Sequence, residues 1–141
     1  MNVSDSIVVG TSGLNKTYKN VIALKSLDLK IATNSITGLL GPNGAGKTTT
    51  IKLLLGLIRQ TSGSATVFGL DTVRDSIEIR KRVGYLAQDP RYYERMTARE
   101  TLQFKARFYY SGPKASIDAR VDNLLEQVDM LDKASKHSHS P

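Results

Sequence analysis

Eight consecutive residues restrict the fold of this chain more than anything else in it. Gly41-Pro42-Asn43-Gly44-Ala45-Gly46-Lys47-Thr48 matches G-x-x-x-x-G-K-[ST] in full, a pattern with physical meaning only between a strand and a helix. Both flanks are present. Ile36-Thr37-Gly38-Leu39-Leu40 is a short, nearly continuous apolar run, which predicts a buried strand feeding a Gly-rich turn. Beyond it, Ile51, Leu54, Leu55 and Ile58 recur at i, i+3, i+4 and i+7, predicting an amphipathic helix that Thr61-Ser62-Gly63 stops. Glycines let consecutive backbone N–H groups turn inward with no Cβ in the way, and the helix start adds unpaired N–H groups and a positive dipole end. Such a cup takes phosphate oxygens. Lys47 is the point charge for the β- and γ-phosphates, Thr48 the hydroxyl for Mg²⁺, and Thr49 a donor to a neighbouring phosphate.

The rest of the chain gives this motif an α/β setting. Leu27, Leu29 and Ile31 alternate with Ser26, Asp28 and Lys30 and predict a strand with one buried face; Ile7-Val8-Val9 is a shorter strand candidate. Ala65-Thr66-Val67-Phe68 and Val83-Gly84-Tyr85-Leu86-Ala87 read as further strands, separated by a charged helix over 74–82. Strands alternating with helices imply an α/β core. Past Pro90 only helices follow. Thr97-Ala98-Arg99-Glu100 is a capping-box sequence opening a helix over 98–110 that Ser111-Gly112-Pro113 ends. Ile117, Val121, Leu124, Leu125 and Val128 then form the apolar stripe of a last helix. From Lys133 the pattern is lost, and residues 135–141 are expected to be a frayed tail.

Composition narrows the function classes. The 141 residues carry 20 Lys+Arg against 13 Asp+Glu, a net charge of +7, with 40% hydrophobic side chains, so a single packed domain is expected. The absence of cysteine excludes a disulfide framework, a Cys-ligated metal and a thiol nucleophile. The basic excess is spread along the chain, with Arg80-Lys81-Arg82 its only run and no Trp to stack on bases, so no nucleic-acid partner is expected. Ile51 to Ile58 is the strongest apolar stretch and is too short to cross a bilayer, so no direct membrane insertion is expected either. His137 and His139 in the polar tail lack further ligands and do not make a metal site.

Taken together, GPNGAGKTTT at Gly41 to Thr50, the preceding ITGLL, the following IKLLLGLIRQTSGSATVFGLD, and VGYLAQDP with MTARETLQF resemble the ATP-binding subunit of an ABC transporter, over about residues 7–133. The resemblance implies a P-loop NTPase core with an N-terminal antiparallel β subdomain and the beginning of a helical subdomain. It divides residues 1–134 into a β/P-loop core at 7–90 and the start of the helical part at 91–134. It implies ATP and Mg²⁺ as cofactors, held by Gly41, Pro42, Asn43, Gly44, Ala45, Gly46, Lys47, Thr48 and Thr49. Tyr18 in NKTYKN takes the place of the A-loop aromatic that stacks on adenine, and Gln88 that of the Q-loop glutamine, which ligates Mg²⁺ or holds the attacking water. Lys47 and Gln88 would be the catalytic pair, and Thr48 and Gln88 the metal ligands. Tyr92, Tyr93 and Met96 fall where the family's surface meets the membrane subunit. The implied partners are a transmembrane permease subunit and a second ATP-binding subunit, at the cytoplasmic, inner face of the cell membrane.

The family's signature sequence, its Walker-B Asp-Glu pair and its switch histidine do not occur in residues 1–141. The resemblance therefore implies a domain truncated before those motifs, which binds ATP without efficient hydrolysis. Two alternatives share the P-loop. A small phosphotransferase would use Val83 to Asp89 as a poor Walker-B strand, Asp89 as its carboxylate, and Arg91, Arg95 and Arg99 as a phosphate clamp. A regulatory nucleotide-binding fragment would dock to a transporter without turning over.

Overall fold

A long hairpin near the N-terminus carries everything else in the first half of the chain; its second strand alternates apolar and polar residues over 26–31, and its first is held by pairing on both edges. The computed structural model describes residues 6–88, 90 and 95–135. Strand β1 (Ile7–Tyr18) pairs antiparallel with β2 (Val21–Ala32) across a two-residue connection, with Tyr18 opposite Val21 and Lys16 opposite Leu24. β1 is also paired on its other edge, antiparallel to β3 (Ser62–Val67), which turns at Gly69 into the short β4 (Leu70–Asp71). The order is β2-β1-β3-β4. Irregularities in the β1–β2 ladder are tied down by side chains: Asn15 Oδ1 accepts from Ser26 N at 2.9 Å, and Asp28 Oδ1 from Gly13 N at 2.7 Å.

Helix α1 (Lys47–Leu54) packs on this sheet through Leu53, which with Leu14, Leu24 and Ala65 forms the core, flanked by Leu27, Leu54 and Ile58. The helix ends earlier than its apolar period predicts. Gly56, at φ 61°, closes a Schellman turn in which its own N–H donates to Leu53 O and that of Leu57 to Lys52 O. A Cβ there would lie 2.3 Å from Thr72 O and 2.4 Å from Ser76 Cβ, so the stop at 56 is enforced by packing as well as by backbone conformation. Helix α2 (Ser76–Arg82) follows β4 and buries Ile79.

The chain divides into two units at Tyr85/Leu86. In the second, α3 (Ala98–Ala106) begins with the expected capping box: Glu100 N donates to Thr97 Oγ1 at 3.2 Å, and Thr97 N to Glu100 Oε2 at 2.8 Å. α4 (Lys114–Gln127) buries Ile117, Val121 and Leu125 with Ala134, against Ala98, Leu102 and Ala106. The buried stripe is narrower than the sequence pattern, since Leu124 and Val128 are half exposed or more. Arg99 pairs with Asp122, and Gln103 donates to Asp118 at 2.7 Å, fixing α3 to α4.

Two expected strands are not strands. Ile36 to Leu40 and Val83 to Ala87 lie outside the sheet, with Ile36 fully exposed and Leu40 and Leu86 largely so. A buried parallel strand is held by ladder partners and by cover on both faces. The only sheet among the described residues is antiparallel, and neither run pairs with any of its strands.

Candidate functional site

The Gly-rich loop connects Leu40 to α1, and three of its glycines take conformations that L side chains rarely adopt: Gly41 at φ 153°, Gly44 and Gly46 at φ 85°. Gly46 is the N-cap of α1 and supplies no side-chain cap. The N–H groups of the first helical turn, at Lys47, Thr48 and Thr49, therefore have no acceptor within the helix, and that turn carries no acidic residue. At Gly46 the loop also touches the sheet: a Cβ there would meet Ala23 O at 2.7 Å and Leu24 Cδ1 at 3.2 Å. Only glycine lets the helix start come this close to β2. A depression of about 420 Å³ lies along this contact, lined by Ile22 to Leu27, Gly44 and Ala45.

Lys47 turns back over the loop. Its Nζ donates to Pro42 O at 2.8 Å and to Gly41 O, so the ammonium sits among the loop's own carbonyls beside the unpaired N–H groups. The three consecutive threonines separate by environment. Thr50 is buried and its hydroxyl donates to Gly46 O at 2.9 Å, tying the loop to the helix; Thr49 is half-buried and Thr48 exposed. An exposed hydroxyl at the second helical residue, an ammonium and a first turn of unspent donors without a carboxylate form a donor set suited to a polyphosphate and its divalent cation.

Tyr18 ends β1 and is 47% exposed as a residue, and Lys16 Nζ lies 4.7 Å from its ring centroid. Its register partner Val21 is two residues from Ala23, the residue Gly46 touches, so the hairpin end and the loop are about 7 Å apart along β2. The structure thus brings Tyr18 and Gly41 to Thr49 into one unit. Gln88 belongs to the second unit, exposed at a bend, and Met96 there is half-buried ahead of the Thr97 cap. Asp89, Arg91, Tyr92, Tyr93, His137 and His139 lie outside the described residues. Arg99 is bound to Asp122 between two helices, and Val83 to Ala87 forms no strand, so a phosphotransferase loses one clamp arginine and its Walker-B element.

Sequence reasoning missed two residues. Lys16 shares a strand face with Tyr18, a period-two relation that follows from β1 running to residue 18. Arg80 donates to Leu55 O at 3.1 Å and Gly56 O at 3.3 Å, satisfying carbonyls at the end of α1. That contact joins residues 24 or more apart and leaves no local signal.

Similarity to known proteins converges on one family. The ABC transporter family profile matches residues 24–141. A daunorubicin resistance ATP-binding protein of Streptomyces coeruleorubidus is 38% identical over 91% of this chain and 40% of its own length. The bacitracin transport ATP-binding protein of Bacillus licheniformis is 39% identical over 93% of this chain and 42% of its own. The solved structure of cbiO1 from Clostridium perfringens, part of the ABC transporter complex cbiONQ, superposes with a TM-score of 0.79 at 25% identity, covering 96% of this chain and 55% of that one. The chain thus spans less than half the length of these two curated relatives.

Proposed function

The chain belongs to the ABC transporter family, and from that premise we propose that it binds Mg²⁺·ATP at the Gly41 to Thr49 loop as the ATP-binding part of a transporter. One observation carries the reading: an uncapped helix start, reached through three left-handed glycines, with the Lys47 ammonium folded over the loop carbonyls. Gly41, Pro42, Asn43, Gly44, Ala45 and Gly46 shape the cradle; Lys47 answers the phosphate charge, Thr48 offers its hydroxyl to the metal, and Thr49 adds a donor. Bound Mg²⁺ supplies charge neutralisation at the phosphate oxygens. Tyr18 receives the adenine ring, and Gln88, in the second unit, keeps the Q-loop role that the resemblance implies.

In this reading residues 7–90 form the β/P-loop core and 91–134 the start of the helical subdomain. The partners are a transmembrane permease subunit and a second ATP-binding subunit, at the cytoplasmic face of the membrane. No helix among the described residues is long and apolar enough to cross a bilayer. Residues 1–141 carry the Gly41 to Thr49 cradle and no Walker-B Asp-Glu pair, so ATP binding with little turnover is expected of these residues alone.

The test is an equilibrium titration of the chain with Mg·ATP beside Lys47→Ala. Saturable binding that the variant loses supports the reading. Equal binding by both, or none by the folded native chain, overturns it.

A further inference from the structure

Lys16 is held by two contacts near the end of β1. Its ammonium donates to Arg59 O at 2.7 Å while lying 4.7 Å from the centroid of the Tyr18 ring. Arg59 stands in the connection from α1 to β3, a few residues beyond the helix that the phosphate loop opens. The same connection grips β1 through Thr61 as well. Thr61 N donates to Asn15 O at 2.9 Å, and Thr17 N donates to Thr61 Oγ1 at 3.0 Å. Residues 15–17 are thus stapled to the far end of the loop-bearing segment, and Lys16 is the staple that also reaches the aromatic.

We propose that Lys16 sets the purine-stacking face of Tyr18: pinned by the Arg59 carbonyl, its ammonium covers one face of the ring and leaves the other to the base of a purine nucleotide. The inference rests on the reading of Tyr18 as the stacking aromatic. The physical effect is twofold. A cation over one face holds the ring against rotation, because the attraction to the quadrupole is lost as the ring turns. It also draws π density toward itself, which leaves the opposite face electron-poorer and better matched to an electron-rich purine. Lys16 contacts Arg59 O and the Tyr18 ring, neither of them in the phosphate loop, so it is a positioning residue and acts on the base alone.

The measurement is the ratio of affinities for Mg·ATP and Mg·tripolyphosphate, which share the phosphates and differ by the nucleoside. Lys16→Met, which keeps the stem and removes the charge, is expected to weaken ATP about two- to fivefold with tripolyphosphate unchanged. Lys16→Arg is expected to keep the native ratio. An unchanged ratio in Lys16→Met overturns the proposal, and so does a matching loss of tripolyphosphate, which would make the lysine a support of the strand. Failure of Lys16→Arg to preserve the ratio overturns it as well. Tyr18→Leu separates the two levels: if it lowers the ratio while Lys16→Met does not, only the role of Lys16 falls, and if it leaves the ratio untouched, both readings fall.

Discussion

Gly44 and Gly46 offer a matched pair for measuring how closely the phosphate loop is seated on the sheet. Both sit at φ 85°, so an alanine at either meets the same left-handed penalty, about 1–2 kcal/mol. Their surroundings differ. A Cβ on Gly44 has no atom within 4 Å, whereas one on Gly46 would stand 2.7 Å from Ala23 O and 3.2 Å from Leu24 Cδ1. Leu24 Cδ1 belongs to a side chain, but Ala23 O is backbone in a paired strand and cannot step aside without disturbing the ladder. Forcing a methyl into such a contact costs about 1–3 kcal/mol beyond the conformational penalty. Gly46→Ala is therefore expected to destabilise by about 2–5 kcal/mol and Gly44→Ala by only about 1–2 kcal/mol. Urea unfolding of the two variants and the native chain, compared at common slope, reads the difference directly. Equal midpoints for the two variants would refute the close approach of α1 to β2, and with it the account of how the sheet positions the cradle.

Three further outcomes follow from contacts elsewhere. Arg80→Ala should cost about 1–2 kcal/mol in urea unfolding, because it strips two charged hydrogen bonds from the carbonyls ending α1; Arg80→Lys should fall between, and no loss would remove Arg80 from the anchoring of that helix. Thr97→Ala should cost about 1 kcal/mol by opening the capping box, read as faster amide exchange in the first turn of α3 with the sheet unchanged. Asp71 is held below the usual carboxylate range, first by the Arg74 N–H and next by that of Val73. Its folded pKa is depressed, so its contribution is present above the unfolded value of about 3.9 and is lost as pH falls through the folded one. Urea midpoints below about pH 4 should therefore drop less in Asp71→Asn than in the native chain, and parallel profiles would contradict that linkage.

What the sequence made legible was local. The capping box at Thr97 to Glu100, the strand alternation from Ser26 to Ile31 and the glycine positions of the phosphate loop are each set within a few residues, and each is found in place. The end of α1 is not legible locally, because the periodicity of Leu55 and Ile58 continues past Gly56 while the stop depends on Thr72 and Ser76, distant in sequence. Lys16 gives no local signal because only Ile7 to Val9 of β1 is continuously apolar; the remaining residues are polar or glycine at many positions, and pairing on both edges, not hydrophobicity, holds them as strand. Arg80 gave no signal at all, since its two acceptors are backbone atoms.

The apolar runs at 36–40 and 83–87 show the limit from the other side. A continuous apolar stretch encodes a demand for cover on both faces, but not the identity of what covers it. The hairpin meets its own demand, because β1 and β2 are joined by two residues and find each other locally. Ile36 to Leu40 carries no such partner in its neighbourhood: the chain leaves β2 at Ala32, passes through this run and enters the phosphate loop at Gly41. Its side chains stand exposed, yet the loop it feeds is still formed, because that loop is fixed from its other end by Gly46 on β2, Thr50 on Gly46 and Leu53 in the core. The seating of the phosphate cradle thus depends on the antiparallel sheet and α1, and a substitution such as Leu40→Ser should leave it less disturbed than any change at Leu53.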